Sequence, residues 1–187
     1  TWVARSLALR RAHPGAAVCA AGYRLEAYGG QPNPDLAAPQ ARPAKPFPLQ
    51  FGYQVRRLMA ALDGRRDGGA LQQSWAKLDR SGHVDIAAGF GGVALRPEFL
   101  DEAAWQIPPV IWAVDDIWLS GHLARKGIAI WADRSLNLAR TCLQVSRAEA
   151  LYHARIDGAD RRAANLACIE HMRRTYGIWG GVAAQST

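Results

Sequence analysis

Cysteine is scarce in this chain. Cys19, Cys142 and Cys168 are the three among 187 residues, an odd number without the close spacing of a metal-thiolate motif. They read as free or buried thiols in a reducing compartment, with the cytoplasm as the expected location. No uninterrupted apolar run approaches the ~20 residues needed to cross a bilayer. The start, Thr1-Trp2-Val3-Ala4-Arg5, also lacks the charged-then-apolar order of a signal peptide, so a soluble segment is expected. The glycine cluster Gly89-Phe90-Gly91-Gly92 is not followed by Gly-Lys-Ser/Thr and does not match the dinucleotide fingerprint, which excludes a P-loop and a Rossmann turn. Basic residues are not interleaved with aromatics as in nucleic-acid-binding modules, so nucleic acid is not an expected partner. No internal repeat is present.

What remains is enough for one domain. At 49% hydrophobic composition, a chain of this length buries roughly 70% of its unfolded surface. Net charge is +7, spread over Arg10-Arg11, Arg56-Arg57, Arg65-Arg66, Arg161-Arg162 and Arg173-Arg174. Such a field forms a solvated surface or attracts phosphates and acidic lipids; peripheral membrane association follows from the second reading.

Residues 2 to 12 form a helix that His13-Pro14-Gly15 stops. The run Ala16 to Ala21 reads as a buried strand continuing toward Leu25. Six prolines between Pro32 and Pro48 exclude an ordinary helix or central strand and predict a surface loop, either a linker or a lid. Leu49 to Leu62 fits strand or helix, and Asp63-Gly64 through Gly68-Gly69 a turn. Val84 to Ile86 and Val93 to Leu95 read as short sheet segments, and Pro97 fits the first turn of a short helix. Asp115 to Lys126 is helical, with Gly127 as its cap and Ile128 to Trp131 as a following strand. Asp160 starts a last helix in which Leu166, Ile169, Met172 and Tyr176 recur at helical spacing before Gly177. Alternating helices and short strands predict an α/β architecture.

Chemistry is concentrated in Val114-Asp115-Asp116-Ile117-Trp118-Leu119-Ser120-Gly121-His122-Leu123. A carboxylate at a helix start can cap amide protons or take a proton from a substrate hydroxyl; both roles stay open for Asp115 and Asp116. His122, about two turns beyond Asp115 on the same face, suits a polar network or a metal. Asp85 and Glu98 are further carboxylates for which a surface or turn role is expected. The glycines permit a tight turn or close ligand approach. Trp105, Trp112, Trp118 and Trp131 suit packing or a sugar-stacking platform.

Taken together, Gly89 to Arg96, Val114 to Leu123 and Tyr176-Gly177-Ile178-Trp179 resemble the distal half of bacterial family 2 glycosyltransferases with the GT-A fold, over most of residues 1–179. The resemblance implies the C-terminal portion of that fold, a mixed sheet flanked by helices, with residues 180–187 as a flexible tail. It also implies transfer of a sugar from a nucleotide-sugar donor to a saccharide or other hydroxyl acceptor, inverting the anomeric carbon. Asp116 would then be the base and Asp115 would orient the acceptor or cap the helix, while Gly91, Gly92 and Ser120 would contact substrate. A divalent Mn or Mg ion would stabilise the departing nucleotide diphosphate. The Asp-any-Asp motif that binds the metal in that family does not occur in this sequence, so the chain is expected to lack the N-terminal nucleotide-binding half, with His122 or His153 as the metal ligands it could offer. Two other readings compete: a noncatalytic module for an anionic partner, and a carboxylate hydrolase. Adjacent aspartates project differently from a helix and make a poor opposing acid pair for hydrolysis.

Overall fold

The computed structural model describes residues 1–45, 49, 51, 54, 55, 58, 59, 78–108, 114–136 and 161–180. Expectations for Asp63 to Gly69, Trp112, Cys142, His153, Asp160 and residues 181–187 lie outside the described residues. Helix α1 (Trp2–Ala12) is capped by Thr1, whose hydroxyl accepts from the Ala4 N–H at 3.3 Å. It closes at His13, whose N–H donates to the Leu9 carbonyl at 2.8 Å.

Strand β1 (Ala16–Cys19) is apolar at every position because both its faces are covered, as expected of an internal strand. Ala17 and Cys19 join Leu123 and Ile130 in one cluster, while Val18 and Ala20 meet Trp2 and Leu9 of α1 in another. The two-residue alternation of a strand sends these sets to opposite sides. Around β1 are assembled β5 (Gly82–Val84), β7 (Val93–Ala94) and β8 (Ala129–Ala132), in the order β5-β8-β1-β7. β8 runs parallel to β1 with Val18 opposite Trp131, whereas β7 is antiparallel to β1 and β5 antiparallel to β8. Two antiparallel pairs complete the strands: β2 (Gly22–Tyr23) with β6 (Ile86–Ala87), and β3 (Arg42–Pro43) with β4 (Leu78–Arg80). This is the mixed sheet expected for an α/β protein.

Helix α2 (Asp115–Arg125) lies between the sheet and α3 (Arg161–Tyr176). Leu123 enters the sheet-side cluster, while Ile117 and Trp118 pack on Ala164, Cys168, Ile169 and Met172 of α3. A Cβ on Gly121 would stand 2.9 Å from Met172, so the missing side chain lets the helices approach. Trp118 is buried and its indole N–H donates to the Ala104 carbonyl at 2.7 Å. Its role is packing, and truncating such a side chain costs about 3–5 kcal/mol.

Several boundaries differ from the sequence reading. The strand expected to run on to Leu25 breaks after Cys19, and Leu25–Tyr28 forms a 3-10 turn. Asp85, buried rather than on the surface, meets the start of that turn. Its Oδ2 accepts from the Leu25 N–H at 3.1 Å and its Oδ1 from the Asn33 side-chain amide at 2.8 Å, holding the start of the proline-rich loop. Pro97–Phe99 is likewise a 3-10 turn. In α3, Ile169 and Met172 are buried as their spacing predicts, but Leu166 is 37% exposed.

Candidate active site

The site forms where two short elements meet. One is the turn Gly89–Gly91 after β6; the other is the first turn of α2. Asp116 Oδ1 accepts from the Gly89 N–H at 2.9 Å. One helical turn later, the Ser120 hydroxyl donates to the Asp116 carbonyl at 2.6 Å and accepts from the Ala87 N–H at 3.0 Å. These bonds tie the start of α2 to the end of β6 and the turn that follows it. The carboxylate therefore does not cap its own helix. Val114 occupies the N-cap position without a side-chain bond, and Asp116 reaches a partner distant in sequence. Among the described residues its Oδ2 takes no hydrogen bond.

The glycines divide their roles. A Cβ on Gly89 would lie 2.5 Å from Asp116 Oδ1, so only a bare Cα permits this approach of turn and carboxylate. Gly92 has φ +84°, a left-handed conformation that glycine tolerates, and a Cβ there would meet the Trp2 ring at 2.5 Å.

A cleft of about 340 Å³ opens between these elements. Asp115, Asp116 and Ser120 supply its polar side chains, and Leu95, Leu100, Trp105 and Leu119 line its apolar wall. Trp105 is 68% exposed at that wall. The cleft thus contains both expected acidic residues and Ser120, whose hydroxyl serves two backbone partners. Gly91 and Gly92 are not among the residues lining it; Gly89 is the glycine that does. Gly91 is buried within the turn, and Gly92 backs onto α1.

Burial of Asp116 pushes its carboxyl above the ordinary range; the Gly89 N–H opposes the rise, neighbouring Asp115 adds to it, and Arg161 opposes it. Tyr23 and Tyr28 are also raised, first by burial and then by the Asp116 charge. These effects place Arg161 and the two tyrosines within electrostatic reach of Asp116. Neither Arg161 nor the tyrosines carried a motif in the sequence, because separate segments bring them here. Burial pushes the Cys19 thiol up to about 12 and the Cys168 thiol to about 12, which leaves both protonated and poor nucleophiles at neutral pH.

His122 is not at this cleft. It is fully buried on the α3 side, with ring centroids 4.6 Å from Trp118 and 5.5 Å from Tyr176. Its Nδ1 accepts from the Arg125 guanidinium at 2.9 Å. Burial, aided by Arg125 and His171 against the opposing Asp101, lowers its pKa to about 4, so the ring is neutral at pH 7. Among the described residues there is no group of three or more His, Cys, Asp or Glu side chains that could hold a metal ion. Gly177-Ile178-Trp179 lies elsewhere, beside a separate cavity of about 450 Å³ bordered by Asn33 and Asp85. Trp131 stacks on His13 at 4.2 Å between ring centroids and does not line the cleft.

Fold and site together define a mixed α/β protein whose cleft combines a backbone-held, partly buried carboxylate with an apolar wall. Comparison with protein-family models, curated proteins and solved structures gave no match.

Proposed function

We propose that this chain is the acceptor side of an inverting, GT-A-type glycosyltransferase, with Asp116 as general base. The observation that carries the reading is the meeting of Asp116, the Gly89 turn and Asp115 in one cleft. Oδ1 is fixed by the Gly89 amide, and Oδ2 is the oxygen that receives the acceptor proton. Burial raises the affinity of this carboxylate for a proton, which makes it a better base than a solvated aspartate while it stays ionised. The acceptor hydroxyl gives its proton to Asp116 as its oxygen bonds to the anomeric carbon. The bond from that carbon to the nucleotide diphosphate breaks on the opposite face, and the leaving group takes the electron pair. Asp115, exposed beside the base, orients the acceptor. Leu95, Leu100 and Trp105 hold its less polar face.

The donor is a nucleotide sugar and the acceptor a saccharide or other hydroxyl compound. A divalent cation, when bound, would stabilise the diphosphate; no step above depends on it. Asp116→Asn in the full encoded protein tests the reading. Sugar transfer should fall by about 10²–10⁴-fold, the usual contribution of a general base, with the fold intact; unchanged transfer rejects Asp116 as the base.

A second reading, a noncatalytic module for an anionic partner, is favoured by a groove in which Arg161 and Arg162 outnumber the single carboxylate, Glu26, beside Tyr28 and Asn165. Salt-sensitive binding of a polyanion, together with no binding of any nucleotide sugar, would select it.

A further inference from the structure

The cleft beside Asp116 is poorly furnished for a sugar. Val93, Leu95, Leu100 and Leu119 line it half-buried, and Trp105 stands exposed on the same wall. No helix among the described residues is long and apolar enough to cross a membrane, so this apolar wall lines a pocket and is not the flank of a span. Polar capacity is scarce beside it. Ser120 is 1% exposed, and its hydroxyl already donates to the Asp116 carbonyl and accepts from the Ala87 N–H. Asp116 Oδ1 is taken by the Gly89 N–H. What remains among the described lining side chains is Asp116 Oδ2, the Asp115 carboxylate and the Trp105 indole N–H, two acceptor groups and one donor.

That inventory decides what the cleft can take. A pyranose carries hydroxyls around its ring, and each one held against leucine without a partner weakens binding by about tenfold. A phosphorylated or carboxylated ligand would meet two carboxylates and, among the described lining residues, no arginine or lysine. A protonated amine would suit the carboxylates, but the Arg161 charge already acts on Asp116 and opposes a second cation. A neutral molecule with one hydroxyl and an apolar body leaves nothing unpaired: the hydroxyl donates to Asp116 Oδ2, and the body covers the leucines and the Trp105 ring. A volume of about 340 Å³ suits a small molecule, since ligand pockets span roughly 300–1,000 Å³ and are mostly apolar with a few placed polar groups.

We propose that the molecule whose hydroxyl reaches Asp116 is an apolar alcohol, an aliphatic or aromatic body with one reactive hydroxyl, and not a saccharide. Its role as acceptor rests on the transferase reading, whereas the preference of the cleft is read by binding alone. Cyclohexylmethanol and methyl glucoside make a matched pair of probes, each a six-membered ring with a hydroxymethyl arm, the first ring bare and the second hydroxylated. Ligand-observed NMR titrations of the chain should show cyclohexylmethanol binding at least about tenfold more tightly. Trp105→Ala, at a side chain 68% exposed, should weaken that binding by about threefold or more. Leu95→Ser should act in the same direction, and circular dichroism establishes that each variant is folded. No binding of cyclohexylmethanol, equal binding of methyl glucoside, or unchanged binding in both folded variants overturns the inference. Tighter binding of cyclohexylmethylamine overturns it too, by assigning the cleft to an apolar cation. In the full encoded protein, faster transfer to saccharides than to cyclohexylmethanol overturns this inference and leaves the transferase reading standing. Undiminished transfer in Asp116→Asn removes Asp116 as the base, with the binding preference of the cleft still in place.

Discussion

Gly89→Ala isolates the contact on which the site depends. The added Cβ would lie 2.5 Å from Asp116 Oδ1, closer than carbon and oxygen tolerate. Alanine meets no positive-φ penalty here, because Gly89 is not among the glycines with positive φ. The carboxylate, as the end of a side chain, must therefore swing aside, at the expense of the 2.9 Å bond from the Gly89 N–H. A hydrogen bond to a charged group is worth about 1.5–3 kcal/mol. For a domain of this size each kcal/mol shifts the melting temperature by roughly 2–4 °C, so a fall of roughly 3–12 °C is expected at neutral pH. The sign of the pH effect follows from the bond itself. The Gly89 N–H lowers the Asp116 pKa against the raising effect of burial, so removing it moves that pKa further up. Destabilisation should be largest above the Asp116 pKa, where the carboxylate is ionised, and shrink as pH falls through it. Carboxyl-carbon NMR titration of wild type and variant, with thermal melts across the same pH range, reads both effects. An unchanged Asp116 titration in the variant would refute the reasoning, even if stability fell.

Other outcomes follow from the same geometry. Ser120→Ala leaves the buried Ala87 N–H without its acceptor at 3.0 Å, and denaturant unfolding should show a loss of about 1–3 kcal/mol. His122 is held neutral by burial with a pKa lowered to about 4, below its unfolded value near 6.5. The stability it supplies is complete above pH ~6.5 and is lost as pH falls toward its folded pKa. Melting temperature should drop over that interval in wild type and less so in His122→Gln; identical pH profiles would contradict the assignment.

Local signals made the helices legible. His13-Pro14-Gly15 ends α1, and Gly127, with φ +67°, follows the C-cap of α2. The unbroken apolar run of β1 was legible because both its faces are covered. The two-residue strands β2, β6 and β7 are too short to show any period; their pairing partners come from tertiary contact alone. The aspartates stood out at the helix start, but their use did not. Gly89 and Asp116 are far apart in sequence, and nothing in their spacing distinguishes a carboxylate that caps its helix from one that reaches across to another turn. His122 shares the angular face of Asp115 yet sits about 10 Å further along the axis, where Tyr176 and Arg125 cover it. Helical periodicity gives direction around an axis but not what stands opposite each turn. Gly91 and Gly92 drew attention over Gly89 for a related reason. A glycine's demand for close approach is visible in sequence, whereas the group that approaches is not.

The most direct test of the central claim measures nucleotide diphosphate release by the full encoded protein from a panel of nucleotide sugars, with hydroxyl acceptors, in wild type and Asp116→Asn. Asparagine retains a carbonyl oxygen for the Gly89 N–H and removes a carboxylate whose ionisation burial disfavours. The variant should therefore melt at or above the wild-type temperature at neutral pH while acceptor-dependent release falls by about 10²–10⁴-fold. Wild-type rates in a folded Asp116→Asn protein, or no nucleotide-sugar turnover by the wild type with any donor and acceptor, would contradict the account.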